Sequence, residues 1–468
     1  MSFVRGLCVS SFLLIIVVCF PQQVSAEPVV ALVSNGSPGN RVDMVILGDG
    51  YTAGEMDKYS VDVQQFVQAV FAQEPFKEYQ RYFNVYRIDV ISSESGASHP
   101  ERTPAVIKNT RFSASYNCLG SQRLICVNAS SVLTVVSNSV APNQRDILVV
   151  IVNDPQYGGS GGVPAVVSTH SAASEIMLHE LGHSFGLLGD EYGGPPPPDC
   201  DLSIEPREPN VTRESQPALI KWNYWIDPAT AIPTPTTIPG LPGLYIGARY
   251  CDNGLFRPTH NSKMRSLNFP YEQINTEQLI KRIYNLVSPL DSSEPVALAI
   301  RLPRGQAQGF SVSTLMPMTR TLETGWLVDG QPQGTGLTFT LESLTLSDGS
   351  HSLQSIVKDT TRNVRNDPNH VLVASTKWDV IVETPPRIAS ASISGKNLII
   401  LGDHFQEGAV IEINGNAQRT RNDQPDPTTL LVGKKAGKRI AAGETVTLTV
   451  LNPSGFRSDS FTFTKPAE

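Results

Sequence analysis

The stretch MLHELGHSFGLLGDEY, residues 177–192, brings together two histidines, four acidic or phenolic side chains and three glycines. Ser171 can cap a helix whose first turn holds Glu175, an acid set against the positive end of the helix dipole. The helix then runs through SEIMLHELGHSF, residues 174–185. His179 and His183 are four apart, so they project from one face about one turn from each other. Two imidazoles at that separation can grip one zinc ion at the usual distance of about 2.0–2.1 Å. Glu180 lies roughly 100° round from His179, where it can reach a water on the metal without being a ligand.

That arrangement points to hydrolysis. A zinc-bound water has its pKa lowered toward about 7, and the metal polarises a carbonyl oxygen. With Glu180 taking the proton, the hydroxide attacks a peptide carbon, and the same acid then protonates the departing nitrogen. A catalytic zinc takes three protein ligands and keeps one open position. Gly186 is expected to adopt the left-handed conformation that ends a helix and swings the chain back. Asp190 and Glu191 then follow within reach. Asp190 is preferred as the third ligand because a short carboxylate close after the turn loses less freedom; Glu191 is the alternative.

The rest of the chain bounds what such a site can belong to. At 468 residues it is too long for one core and has room for an enzyme with accessory modules. A net charge of -7, with no dense lysine and arginine stripe, argues against nucleic acid or an anionic membrane surface as partner. The one basic cluster, Lys434, Lys435, Lys438 and Arg439, reads as a solvated turn. Arg5, the apolar run from Phe12 to Phe20 and the segment VSA read as an export signal cleaved after Ala26. That run is shorter than the roughly 20 residues a spanning helix needs, and no later stretch approaches that length. The expectation is therefore a secreted protein, extracellular or periplasmic, with no transmembrane segment. Cys19 does not mark a lipid anchor, because Val18 before it is too bulky for that cleavage pattern. Of six cysteines, Cys118, Cys126, Cys200 and Cys251 outlast the signal. Proximity in sequence pairs Cys118 with Cys126 and Cys200 with Cys251.

From Arg41 to about Asn285 strand-like and helix-like segments alternate. VDMVILGDG, FNVYRIDVISSES and ILVVIVND are apolar runs that suit buried strands. Between the first two, Val63, Phe66, Val67, Val70 and Phe71 recur at helical intervals. Strand, helix, strand repeated in this way predicts an α/β layer structure. Residues 193–242, rich in proline, are expected to be irregular surface chain. Beyond LDSSEP come short alternating runs suited to a β-sandwich, with a second boundary at ETPPRI. The expected organisation is a signal over 1–26, a zinc peptidase domain over 27–288, and immunoglobulin-like sandwiches over 293–383 and 385–468. The last resembles IPT/TIG domains, through its Gly-bounded first hairpin, a G-x-x-F and the late NP-x-G.

HELGHSFGLLGDEY resembles the signature of the immunoglobulin A peptidase family of metallopeptidases, which stands among the metzincin-like zinc enzymes. The likeness extends to VDMVILGDGYTAGE, EPFKEYQRYFNVYRIDVISSESG, YGGSGG and FRPTHNSKMRS, and so covers roughly residues 41–285. The resemblance implies a metzincin-like α/β (α+β) domain with a mixed sheet and an active-site helix. It further implies that His179, His183 and Asp190 hold zinc, that Glu180 is the base, and that Met264 sits in the tight turn beneath the metal. Two departures stand out. The wider metzincins put a third histidine or aspartate where this chain has Gly189, and some place a tyrosine where it has Ser266. The side chains to consider for stabilising transition-state charge are then Tyr192, His260 and Arg265.

Weaker features remain. GGSGG, residues 158–162, matches G-x-S-x-G, but a nucleophile at Ser160 would need a helix after it, and VPAVVS reads as strand. It reads better as a lip leading into an edge strand that could pair with an extended substrate. His170 reads as structural and Asp49 as a strand terminator. The leading expectation is a zinc endopeptidase acting on protein or peptide, with surface or glycan contact assigned to the C-terminal modules; calcium is left open. The competing readings are a surface-binding, adhesin-like protein with a structural or spent metal site, and a zinc amidase acting on cell-wall peptides. The retained Glu180 favours the peptidase, as does a ligand count of three where a structural zinc would take four.

Overall fold

The computed structural model describes residues 26–194, 200, 202–235, 238–422 and 426–467, so the export segment expected over 1–26 lies outside the described residues save for Ala26. The chain divides into two compact units. Among the described residues, the first holds those up to Leu32, Met44–Val63 and Val85–Ala173; the second holds Val33–Asp43, Gln64–Asn84 and those from Ser174 onward.

The elements to the end of the first unit are β1 (Val29–Val33), β2 (Val42–Asp49), α1 (Met56–Ala72), β3 (Phe83–Ile88), α2 (Ala129–Ser139), β4 (Ile147–Val152), β5 (Gly159–Ser160) and β6 (Ala165–Val167). They build a mixed sheet in the order β1-β3-β2-β4-β6-β5. β2 and β4 run parallel, Met44 opposite Ile147 and Asp49 opposite Val152. β6 continues the parallel set and β5 turns back against it. Every residue of β2 and of β4 is buried, which is why both read as near-continuous apolar runs, broken in β2 by Asp43, rather than alternating ones. Asn128 caps α2 by accepting from Ser131 N (3.0 Å). Val132, Val135 and Val136 of that helix bury against Val45, Leu47, Val150 and Phe112. Each such burial contributes on the order of 1.5–3 kcal/mol.

Asp49 does more than end a strand. Its carboxylate is fully buried and accepts from Ser92 Oγ, Thr110 Oγ1, Phe112 N and Ala114 N at 2.8–3.1 Å, which clamps the 110–114 loop over the sheet end. Ser160 lies in the two-residue edge strand β5 and donates to Ile125 O (2.7 Å). A strand, β6, follows it, so no nucleophile elbow forms there. His170 accepts from Ala172 N on Nδ1 (3.1 Å), a structural use.

In the second unit follow α3 (Ala173–Ser184), the hairpin β7 (Tyr245–Ala248) and β8 (Cys251–Arg257), and α4 (Glu272–Leu286). The proline-rich segment before β7 is not merely surface chain. Ile220, Trp222, Trp225 and Leu244 form a buried cluster, and Trp222 Nε1 donates to Gly243 O (2.7 Å). Tryptophan supplies enough apolar area to make a small core where regular elements are missing.

Two β-sandwiches complete the second unit. One packs a five-stranded sheet containing Glu323–Val328, Gly349–Lys358 and Val373–Glu383 against a three-stranded sheet containing Ala307–Thr314. Trp326, Trp378 and Phe310 fill the space between. The other pairs two four-stranded sheets around Leu398, Ile400, Ile411, Leu431 and Leu448. Alternating burial along Glu323–Val328 and Thr445–Leu451 shows why these segments read as sandwich strands. A buried acid ties α4 to the first sandwich. Asp359 accepts from Tyr79 Oη and Tyr284 Oη, each at 2.7 Å, and pairs with Arg320.

Two disulfides are present, Cys118 with Cys126 and Cys200 with Cys251, with Cα atoms 5.6 and 5.5 Å apart. Among the described residues no helix is long and apolar enough to cross a membrane.

Candidate metal centre

α3 buries Ile176, Met177, Leu178 and Leu181 and leaves its two histidines on a half-buried face. His179 and His183 turn their Nε2 atoms toward each other at 3.1 Å. Each ring is held from behind by a backbone carbonyl: His179 Nδ1 lies 3.0 Å from Lys263 O and His183 Nδ1 lies 2.7 Å from Leu188 O. A carbonyl oxygen only accepts, so in the neutral imidazole each Nδ1 carries the hydrogen and each Nε2 is left with the lone pair.

The third member is Asp190. Its Oδ1 is enclosed, receives no hydrogen bond, and stands 3.1 Å from His179 Nε2 and 3.2 Å from His183 Nε2. Three acceptor atoms thus converge within 4.8 Å, the one such grouping of His, Cys, Asp and Glu among the described residues. Acceptors at that spacing repel unless a cation sits among them. Burial weighs against charge on His183, but the Asp190 and Glu180 carboxylates outweigh it and carry its imidazole up to about 9. Burial also opposes charge on Asp190, and the two histidines beside it still hold its carboxyl well below the ordinary range. The pocket therefore favours positive charge, and two nitrogens with one oxygen make a donor set that zinc can take.

Glu191 goes elsewhere. It is fully buried, its Oε1 accepts from Asn210 Nδ2 (2.9 Å) and Asn275 Nδ2 (2.8 Å), and its Oε2 accepts from Ser262 Oγ (2.7 Å). Burial raises its pKa, against those three donors. Its oxygens are committed to a latch that Asn210, Asn275 and Ser262 supply from distant parts of the chain, whereas Asp190 is the acid placed beside the two histidines.

The helix end also departs from expectation. The left-handed residue is Leu187 (φ 57°), not Gly186. Gly186 is needed for closeness instead, since a Cβ there would come within 2.6 Å of Gly182 O and 3.0 Å of Leu279 Cδ2. Met264 is fully buried in a tight turn, where Arg265 N and Ser266 N both return to Ser262 O at 3.0 and 2.9 Å. Met264 O accepts from Glu191 N (2.9 Å), and Lys263 O is the group that holds His179. One turn thereby orients a histidine and anchors the loop that carries Asp190. Lys263 is itself buried and its ammonium pairs with Glu175 at 2.5 Å.

Glu180, 8% exposed, sits on the same helix next to His179. Tyr192 stacks over His179, ring centroids 6.4 Å apart and planes 20° from parallel. Its hydroxyl meets that of Tyr250 at 2.7 Å. His260 packs edge-on to Tyr245, and burial together with Arg265 and Arg257 keeps its imidazole below the ordinary value. Arg265 donates to His260 O (3.0 Å). The structure thus brings Tyr192 to the histidines, while the contacts of His260 and Arg265 are with each other and with Tyr245 and Arg257. Sequence reasoning missed Tyr250 and the latch around Glu191. Neither carries a local motif that could have signalled it.

Residues 30–239 match the family described as IgA Peptidase M64. No curated protein matches the chain. Similar solved structures include fibronectin(III)-like modules of CbhA from Clostridium thermocellum, 9% identical, covering 38% of this chain and 94% of that one at a TM-score of 0.21. Sidekick-1 immunoglobulin domains 1–4 are 9% identical over 38% of this chain and 47% of that one, at a TM-score of 0.17. Domains 5–6 of the S-layer protein SbsC are 13% identical over 38% and 98%, at a TM-score of 0.13. Overlap of that extent decides nothing about this chain.

Proposed function

We propose, from the match of residues 30–239 to the IgA Peptidase M64 family, that the chain is a secreted zinc-dependent endopeptidase with a metzincin-like catalytic domain and two trailing β-sandwich modules. The observation that carries this reading is the convergence of His179 Nε2, His183 Nε2 and Asp190 Oδ1 on one point, each histidine fixed in the tautomer that leaves a lone pair there. These three residues would hold the zinc. Three protein ligands rather than four suit a catalytic site.

When bound, zinc supplies a Lewis acid that polarises a carbonyl and depresses the pKa of a water toward about 7. Peptide hydrolysis adds a water across the C–N bond. Its oxygen goes to the carbonyl carbon, and one proton passes by way of the Glu180 carboxylate to the departing nitrogen. Glu180 suits this role because it is mostly buried and neighbours His179, so it acts without competing as a ligand. Lys263 O and Leu188 O keep the imidazoles aimed, a support whose loss typically costs 10–100-fold in metal affinity or activity. The Met264 turn is the floor of the site in this reading. Secretion is supported by the apolar N-terminal run and by the two disulfides, which form in oxidising compartments. The substrate is a polypeptide.

The test is to purify the mature protein, measure bound zinc, and compare cleavage of unfolded protein by the parent and by Glu180→Gln. We expect stoichiometric zinc in both and a loss of roughly 10²–10⁴-fold in the variant. Stoichiometric zinc with no hydrolysis of any polypeptide by the parent would overturn the proposal.

A further inference from the structure

The tip of the β7–β8 hairpin is a two-residue turn, Arg249 and Tyr250, between Ala248 and Cys251, which face each other in the ladder. Both turn residues are left-handed, with φ of 48° and 61°. Hairpin turns of that kind ordinarily use Asn and Gly, and holding a bulky L-residue in that conformation costs roughly 1–2 kcal/mol. Such strain persists only where the surroundings over-determine it. Here they do. Arg249 N donates to Asp190 O (2.9 Å), Tyr250 N donates to Tyr192 O (3.0 Å), and Cys251 is bridged to Cys200. The strained tip is therefore fixed to the very segment that carries Asp190.

The gain is at the tyrosine rings. Tyr250 meets Tyr192 edge to face, centroids 4.9 Å apart, and their hydroxyls stand 2.7 Å from each other. Tyr192 in turn lies over His179. A phenylalanine at 250 would pack equally well, so the strained placement of a hydroxyl asks for a polar purpose. If Tyr250 O–H donates to Tyr192 Oη, the Tyr192 hydrogen is turned away from Tyr250 and its own donor strength rises.

We propose that Tyr250 is a positioning residue for peptide hydrolysis. Its hydroxyl fixes that of Tyr192, which donates a hydrogen bond to the scissile carbonyl oxygen as that oxygen gains negative charge. The proposal rests on the peptidase reading. A pre-aimed donor at developing charge is worth about 10²–10³-fold in kcat, and no proton is transferred.

The experiment measures kcat, KM, bound zinc and melting temperature for the parent, Tyr250→Phe, Tyr192→Phe and the double variant, on a peptide the parent cleaves. Tyr192→Phe is expected to lose about 10²-fold in kcat and Tyr250→Phe roughly tenfold, with KM, zinc and melting temperature unchanged. The double variant is expected to be no slower than Tyr192→Phe, because Tyr250 acts only through Tyr192. Tyr250→Phe within about twofold of the parent in kcat overturns the role. So does a double variant whose loss is the product of the two, or a kcat loss matched by lost zinc or stability. A folded, zinc-loaded parent that cleaves no peptide is a different failure: it removes the peptidase reading, and this role with it.

Discussion

Gly182 lies directly under the Met264 side chain: a Cβ on that glycine would overlap the sulfur and stand 3.0 Å from the methyl. Both are in the innermost layer of the site, Gly182 between the two histidines in sequence and Met264 at the centre of the turn that holds His179 through Lys263 O. The glycine lets helix and turn approach as closely as they do, and the methionine fills what the glycine leaves open.

Gly182→Ala tests that packing. Alanine gains about 1 kcal/mol in helix propensity. Overfilling a packed core costs typically 1–3 kcal/mol. Met264 is flexible in principle, but it is fully buried and Tyr271 is 3.4 Å from the same Cβ position, so the sulfur has little room to retreat. The overlap should win. A net loss of roughly 1–2 kcal/mol in denaturant unfolding is expected, and the same substitution made in a Met264→Ala background should cost less. A variant more stable than the parent would refute the close packing.

Asp190 and Glu191, adjacent in sequence, should fail in opposite ways. Glu191→Ala strands two buried amides and a hydroxyl from Asn210, Asn275 and Ser262, so a loss of about 3–5 kcal/mol in stability is expected. Asp190→Asn removes a charge from the proposed ligand set while the backbone bonds around it stay, so zinc content should fall while the metal-free chain loses less stability than Glu191→Ala does. Equilibrium unfolding in a chelator, with metal analysis alongside, reads both. Equal loss of stability in the two variants would contradict the assignment.

That contrast marks where the sequence stops being legible. Helix geometry alone sets residues four apart on one face, so the meeting of His179 and His183 could be read from spacing. The choice between Asp190 and Glu191 could not, because it is made by Asn210, Ser262 and Asn275, side chains remote in sequence that claim one acid and leave the other. Gly186 was a sound candidate for a left-handed helix end on propensity, yet packing against Gly182 and Leu279 claims it and the reversal falls on Leu187. Tyr250 was invisible because Arg-Tyr carries no turn signal; its backbone is held by Asp190 and Tyr192 rather than by local preference. The near-continuous apolar runs of β2 and β4 and the alternating runs after Leu290 are readable, since burial on both faces or on one face writes directly into sequence. The proline-rich stretch misled, because its composition hides Trp222 and Trp225.

Asp359 makes the stability of the first sandwich and of α4 interdependent. Two tyrosine hydroxyls, from Tyr79 and Tyr284, and the Arg320 guanidinium converge on its buried carboxylate. Asp359→Ala takes the shared acceptor from all three, leaving Tyr284 with Tyr82 and Arg320 with Glu78 and Tyr79, and a loss of roughly 3–5 kcal/mol is expected. Arg320→Met should cost less, because the two hydroxyls still reach the acid. Denaturant midpoints of the two variants check the order, and a smaller effect for Asp359→Ala would show that the network is peripheral.

Glu55 gives a pH test remote from the proposed metal. Burial pushes its pKa up, but hydrogen bonds from Thr52 N and Oγ1, Ser95 Oγ and Asn153 Nδ2 outweigh it and bring the carboxyl to about 2, from an ordinary 4.5. A carboxylate whose folded pKa is depressed stabilises the fold above its unfolded pKa and loses that contribution as pH falls through the folded one. The window is therefore pH 4.5 down to about 2. The side chain is half-buried and partly screened, so on the order of 1–2 kcal/mol is expected rather than the full shift. Glu55→Gln should be less stable than the parent by that amount at pH 7, and the gap should close as the pH is lowered through the window. Urea midpoints taken for both proteins at pH 7, 4.5 and 3 measure it. A gap that stays constant to pH 3 would mean that Glu55 contributes through shape and neutral hydrogen bonds alone, with no part played by its charge.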